Sequence, residues 1–333
     1  LNNKEILLSY FILRRKTCVE DEWCIEMRTK QYMQKNYKII ANKFKEEKDL
    51  YKALKFFQKA YQCRGGSEDV ELLLDMGLIY DELEDYKSAE DKYEEAVSLA
   101  PDDPRGYYSL GTVYDNQKEY EKAIDFYTRA IAIDPDYDKA YFFLANVYDE
   151  IGEKEKAIEN YLKAIDANPE YFWAYINLGS LYEELNYNEL ALEMIKKGLT
   201  IDPENFKALF NMGVVLKKLG RVELAMKYYY QSIDANPHYP YGYLNLSVLY
   251  KERKEFSKAV EVISTGICHN KDVSVLYYNR GCFFAQLNQL ESALRDIIRA
   301  TELSPSLSEY MKEDEELDPI RKLIAYQIMY EGK

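Results

Sequence analysis

The chain has 333 residues, 47% of them apolar, with only 14 glycines and 9 prolines. That balance excludes a disordered chain and predicts a globular or repeat architecture. A formal net charge of −14 disfavours nucleic acid as a partner, because phosphate backbones are held by basic surface.

In chain order, residues 1–33 come first. Ile6, Leu7, Tyr10, Phe11, Trp23 and Met27 read as a helical cap, or as a degenerate repeat. The run ILLSYFIL (6–13) precedes Arg14, Arg15 and Lys16, the reverse of the charge order of a secretory signal. The first residue is Leu, as a fragment or a processed product would show. No apolar run reaches the roughly 18 residues that a membrane-crossing helix needs. With no Pro or Gly from 19 to 64, the last helix of the cap is expected to run on into the next unit.

Residues 34–67 form a weak repeat around Ala41, Ala53, Phe57 and Ala60, and Glu68 and Asp69 then break the phase. Seven units of 34 residues follow without a gap: 70–103, 104–137, 138–171, 172–205, 206–239, 240–273 and 274–307. The eighth position is small in each (Gly77, Gly111, Ala145, Gly179, Gly213, Ser247, Gly281), and the twentieth is always Ala, from Ala89 to Ala293. The twenty-seventh is small again, as at Ala96, Gly198 and Gly266. Large residues recur at positions four, seven, eleven and twenty-four, for example Tyr107, Leu110, Tyr114 and Tyr127. These spacings predict two amphipathic helices per unit. Small residues at positions eight and twenty let the two helices cross closely, and those at twenty-seven are expected to receive the next helix. Turns such as EIGEK (150–154) and KLGRV (218–222) place Gly where a helix ends with positive φ, and Pro two residues past "AID" stops the second helix. One helix pair cannot bury both its faces, so stacking is required. The expected fold is all-α, an α-solenoid superhelix of antiparallel helix pairs. Residues 308–333 are expected to form a capping helix over its last apolar face.

These residues resemble the tetratricopeptide repeat family over 34–307. The family's aromatic fourth position appears as Tyr107, Tyr141, Tyr175, Tyr243 and Tyr277. The resemblance implies a right-handed superhelix in which the first helix of each unit lines a concave groove, with positions two, five, six, nine, twelve and thirteen facing it. Asn177, Asn211, Asn245 and Asn279 are each 34 residues apart, at the sixth position. An amide offers one acceptor and two donor hydrogens, which suits the backbone of an extended peptide. This spacing is similar to the asparagine ladder in the protein-binding array of O-GlcNAc transferase. The alternative is that these amides bond to neighbouring repeats. Trp173 and Tyr241 at the second position and Phe210 and Tyr278 at the fifth are expected as aromatic anchors, although fifth-position aromatics also suit packing between repeats. Lys207, Lys217 and Lys251 add positive charge there, where earlier units carry Asp81, Asp115, Asp149 and Glu183 at the twelfth position. Residues 70–171 hold 26 acidic and 10 basic side chains, and 206–273 hold 6 acidic and 10 basic, an asymmetry that would orient a charged partner. A second family mode, the carboxylate clamp, is matched by Lys38, Asn42 and Arg105 but departs from the pattern at Asp75 and Ser109.

Five cysteines, at 18, 24, 63, 268 and 282, are odd in number and scattered. They point to a reducing, cytoplasmic compartment rather than a disulfide framework. Cys268, His269 and Cys282 lack a paired Cys-x-x-Cys, so neither a metal nor another cofactor is expected. Phosphate-loop, nucleophile-elbow and His-Glu-x-x-His motifs are absent, and His238 and His269 are the only histidines. The reading is therefore a non-enzymatic protein–protein interaction adaptor that binds an extended peptide. A structural subunit joined through its end caps or convex face, and a peptide-sensing regulator, are the alternatives.

Overall fold

The computed structural model describes residues 32–311 and 313–328. The expected N-terminal cap lies outside the described residues, except for Tyr32 and Met33, which stand in the first described helix. Among the described residues there are helices and turns and no strand. The chain divides into two compact units, Leu1–Pro169 and Glu170–Lys333.

The first unit contains α1 (32–46), α2 (Leu50–Tyr61), α3 (Val70–Glu82), α4 (Tyr86–Leu99), α5 (Pro104–Asn116), α6 (Tyr120–Ile133), α7 (Asp138–Glu150) and α8 (Lys154–Ala167). The second contains α9 (Phe172–Glu184), α10 (Asn188–Ile201), α11 (Phe206–Lys218), α12 (Val222–Ala235), α13 (Pro240–Glu252), α14 (Phe256–His269), α15 (Ser274–Gln286) and α16 (Leu290–Leu303). Within each unit, consecutive helices pack as antiparallel pairs, and each pair stacks on the next.

Local chemistry sets these boundaries. Asp69, Asp103 and Asn205 cap first helices, accepting from the backbone N–H groups of Leu72, Arg105 and Lys207. Second helices end two residues before Pro101, Pro135, Pro169, Pro203 and Pro237. The turn between paired helices always places its fifteenth-position residue in the left-handed region. Gly152 and Gly220 do so freely, whereas Lys48, Glu84, Lys118, Asn186, Lys254 and Asn288 do so as non-glycines.

The small positions explain the close crossing. A Cβ on Gly111 would stand 2.6 Å from the buried Tyr127 ring of its paired helix, and one on Gly213 would stand 2.6 Å from Tyr229. The twenty-seventh position does not receive the next helix, as its smallness suggested. A Cβ on Gly266 would meet Tyr243, and Ser232 Oγ donates to the Phe206 carbonyl at 2.8 Å, so both face the first helix of their own repeat. The following helix docks one residue later, where Gly106 meets Val97 and Gly242 meets Ile233.

The C-terminal segment differs from the single capping helix expected. Its described residues form one-turn pieces at Leu307–Tyr310, Glu315–Leu317, Asp318–Arg321 and Ile324–Tyr326. Asp314 caps the second piece, and Pro319, which cannot donate a backbone hydrogen bond, opens the third. Met311, Leu317, Ile320 and Tyr326 are buried against Tyr278, Cys282, Leu294 and Ile297. The segment thus covers the end of the apolar core without being a helix.

Candidate functional site

In the second unit, the faces of α9, α11, α13 and α15 turned from their paired helices carry the repeating asparagines. Asn177, Asn211, Asn245 and Asn279 are all half-buried. Asn211 Nδ2 donates to Ser180 Oγ of the preceding repeat at 2.9 Å. Asn245 and Asn279 donate one turn back along their own helices, to the Tyr241 carbonyl at 3.1 Å and the Val275 carbonyl at 2.8 Å. Each of these three amides therefore spends one N–H inside the protein. Each keeps its Oδ1, which accepts from none of the described residues, and a second N–H.

The aromatic candidates separate into two groups. Trp173 is 42% exposed and Tyr241 is 52% exposed. Lys207 Nζ lies 5.8 Å from the Trp173 ring, within cation–π range. Phe210 is half-buried, packed between Tyr229 at 5.7 Å and Tyr239 at 5.3 Å. Tyr278 is buried: the C-terminal segment lies over it, with its hydroxyl donating to Asp314 and its ring 5.7 Å from Tyr310. Tyr278, a candidate anchor by its register, is thus a packed ring, the alternative that a fifth-position aromatic also suits.

The charged candidates are paired as well. Lys217 Nζ lies 2.8 Å from Glu252, and Lys251 is held by Glu316. Neither presents the bare charge that its sequence position suggested. Sequence reasoning missed these partners, although reading the twelfth position of one unit against the thirteenth of the next would have found Glu252.

In the first unit the same register is acidic. Asp81 accepts from Asn116 Nδ2 at 3.0 Å, and Asp149 pairs with Lys154 at 2.7 Å. Burial raises the Asp81 carboxyl above its ordinary range, against the Asn116 hydrogen bond. Burial pushes Asp115 up to about 6, with the Tyr127 hydroxyl opposing and the Glu150 charge adding. The cations of the clamp pattern already hold carboxylates. Lys38 pairs with Asp69 at 2.8 Å, and Arg105 with both Glu71 and Asp103 at 2.6 Å. Asp75 is held by Lys45 at 2.9 Å. A ligand carboxylate would have to displace these partners.

Among the described residues no helix is long and apolar enough to cross a membrane. Profiles of the tetratricopeptide repeat match residues 70–103, 104–137, 126–159, 174–205, 206–239 and 275–307, and a TPR repeat profile matches 150–186. No curated protein matches the sequence. Among solved structures, a tetratricopeptide repeat protein from Parabacteroides merdae is similar at 23% identity and TM-score 0.55, over 73% of this chain and 97% of its own. Pseudomonas aeruginosa pilF is similar at 21% identity and TM-score 0.54, over 63% of this chain and 97% of its own. MamA protein is 31% identical over 52% of this chain and 93% of its own, with TM-score 0.43. The repeats so matched span more than half of the sequence, and the chain belongs to the tetratricopeptide repeat family, a scaffold for protein–protein interaction.

Proposed function

We propose that the first-helix face of the second unit receives an extended segment of a partner protein, and that the chain is a non-enzymatic cytoplasmic adaptor. One observation carries this reading. The Oδ1 atoms of Asn211, Asn245 and Asn279 recur at one-repeat intervals with no partner among the described residues, on first helices of a unit that also carries the exposed rings of Trp173 and Tyr241. Neighbouring helices pack at roughly 8–10 Å. An extended chain advances about 3.3–3.6 Å per residue. One repeat then matches about three peptide residues, and an acceptor per repeat can take one backbone N–H in three. Such an array is similar to the amide ladder of O-GlcNAc transferase. Lys207 beside Trp173 adds a cation that suits an acidic or carbonyl-rich segment.

The test is selection of random twelve-residue peptides displayed on phage against the full chain. Selected peptides are expected to lose affinity by about tenfold or more, roughly 1.4 kcal/mol, on the joint change Asn211→Ala and Asn245→Ala, with far-UV circular dichroism unchanged. Equal affinity for parent and variant would refute the ladder. Partners that survive those changes but are lost on removal of 308–333 would instead support a structural subunit that assembles through its end.

A further inference from the structure

In the second unit the pairing of twelfth with thirteenth positions breaks at Lys251. Glu183 meets Lys218, and Lys217 meets Glu252 at 2.8 Å. The thirteenth residue that should answer Lys251 is Gln286, an exposed neutral amide. Lys251 is held instead by Glu316, from the C-terminal segment. Two residues earlier, Asp314 accepts from the Tyr278 hydroxyl and places its Oδ2 4.0 Å from Cys282 Sγ. Tyr278 and Cys282 are the fifth and ninth positions of the last repeat, on the face assigned above to a peptide. The segment therefore does more than close the end of the core, because its acidic stretch 313–316 (Glu-Asp-Glu-Glu) lies across that face.

The way the segment is held is informative. Leu317 and Ile320 are fully buried and Met311 nearly so, so apolar anchors flank the acidic stretch on both sides. Arg321 Nη2 donates to the carbonyls of Met311 at 2.7 Å and Asp314 at 2.8 Å, which ties the loop to itself. The contacts to Lys251 are about one-third exposed, and ion pairs so exposed hold weakly. For residues 313–316 to leave this face, only the side-chain contacts of Asp314 and Glu316 need break, and neither the anchors nor the Arg321 bonds. Lifting them would bare one ammonium and one phenol hydroxyl, both donors to carboxylates. It would also uncover the side of Cys282 that Asp314 covers, at 4.0 Å from its Sγ; with the segment in place this thiol is 2% exposed.

We propose that the first-helix face of the last two repeats is a receptor for short acidic segments, and that residues 313–316 are its built-in occupant, displaced when an acidic segment of a partner binds. The proposal rests on the peptide-binding reading above and names the class of peptide.

The experiment uses the full chain with Cys18, Cys24, Cys63 and Cys268 changed to Ser, so that maleimide labelling reports Cys282 alone. The pair Asp314→Asn and Glu316→Gln is expected to speed labelling by about tenfold or more, and Lys251→Met, acting from the other side, to speed it in the same direction. A synthetic peptide copying 313–320 should slow labelling of the Asp314→Asn, Glu316→Gln protein again. It should do nothing for Lys251→Met, and its counterpart with every Asp and Glu as Asn and Gln should protect neither. Far-UV circular dichroism checks that each variant is folded. Equal labelling of the parent and both variants, or no protection by the acidic peptide, overturns the proposal. If the amide counterpart protects equally, the acidic preference falls and the groove reading stands. If neither peptide protects, this proposal falls, and the groove reading falls with it only if phage-selected peptides also ignore Asn211 and Asn245.

Discussion

Lys217 Nζ lies 2.8 Å from Glu252 Oε1, so the twelfth side chain of one repeat meets the thirteenth of the next. The same register joins Asp81 to Asn116 at 3.0 Å and Glu183 to Lys218. It turns a 34-residue period into a row of contacts between neighbouring first helices. It also shows where the row is frustrated: Asp115 faces Glu150, a like charge, and burial together with that charge raises its carboxyl to about 6.

A pH dependence follows from Asp115. Its folded pKa of about 6 lies above the ordinary 3.8. Between those values the folded chain holds more protons than the unfolded chain, so the free energy of unfolding falls as pH rises through the window. Asp115→Asn is expected to remove that slope and to raise stability at pH 7 on the order of 1 kcal/mol, after discounting for partial exposure. Glu150→Lys should lower the Asp115 pKa by turning repulsion into attraction. Urea unfolding at pH 4 and pH 7, with carboxyl NMR titration of Asp115, reads both. An unchanged slope in Asp115→Asn would remove this account.

The fifteenth-position turn gives a second prediction. Lys254 holds φ at 60°, where its Cβ crowds the following carbonyl, whereas Gly220 holds 72° without a Cβ. Lys254→Gly is expected to stabilise the second unit by about 0.5–1 kcal/mol, the left-handed penalty less the entropy glycine loses on folding. Gly220→Ala should destabilise by about 1 kcal/mol or more. Opposite signs in denaturant midpoints check the pair, and destabilisation by both would mean that the Lys254 side chain matters more than its backbone.

The repeat phase and helix order were legible because they rest on one-dimensional spacing. Gly111, Ala123 and Tyr127 recur at a fixed interval, and each has one packing role. Helix direction was legible from Gly152 and from the prolines. The twenty-seventh position was misread because smallness says that something lies close, not which helix it is. Gly266 faces Tyr243 of its own repeat. The pairing of Lys217 depends on a side chain one repeat away, which appears only when two registers are read together. Lys251 and Glu316 are 65 residues apart with no shared phase, so no period could disclose that contact. The same holds for the burial of Tyr278, which depends on an irregular segment whose path was not written in any repeat.

Close helix crossing predicts intolerance at the eighth position. A Cβ on Gly77 would fall 2.4 Å from the ring of Tyr93, which is itself fully packed. Gly77→Ala is therefore expected to cost roughly 1–3 kcal/mol by overpacking, despite the gain in helix propensity. Gly77→Ala combined with Tyr93→Leu should recover part of the loss by clearing the ring. If the single change stabilises, as it would on an open helix face, then the helices of this pair are not as close as described.

The last repeat breaks the apolar rule at its seventh position, where Arg280 stands in place of the Leu or Met of other units. Its guanidinium meets both carboxylate oxygens of Asp296, at 2.6 and 2.8 Å, and Ser264 Oγ at 3.1 Å. The side chains are 19% and 8% exposed, so neither charge is well solvated. Removing one partner leaves the other buried and uncompensated. Asp296→Ala is expected to destabilise the second unit by roughly 3 kcal/mol, at the low end for a buried pair because Arg280 keeps some water. Replacing both with Arg280→Met and Asp296→Leu restores the apolar stripe, and should cost far less than either single change. A double-mutant cycle from denaturant unfolding measures the coupling. Additive losses in that cycle would mean that the two side chains are stabilised separately, by Tyr277, Phe284 and solvent, rather than by each other.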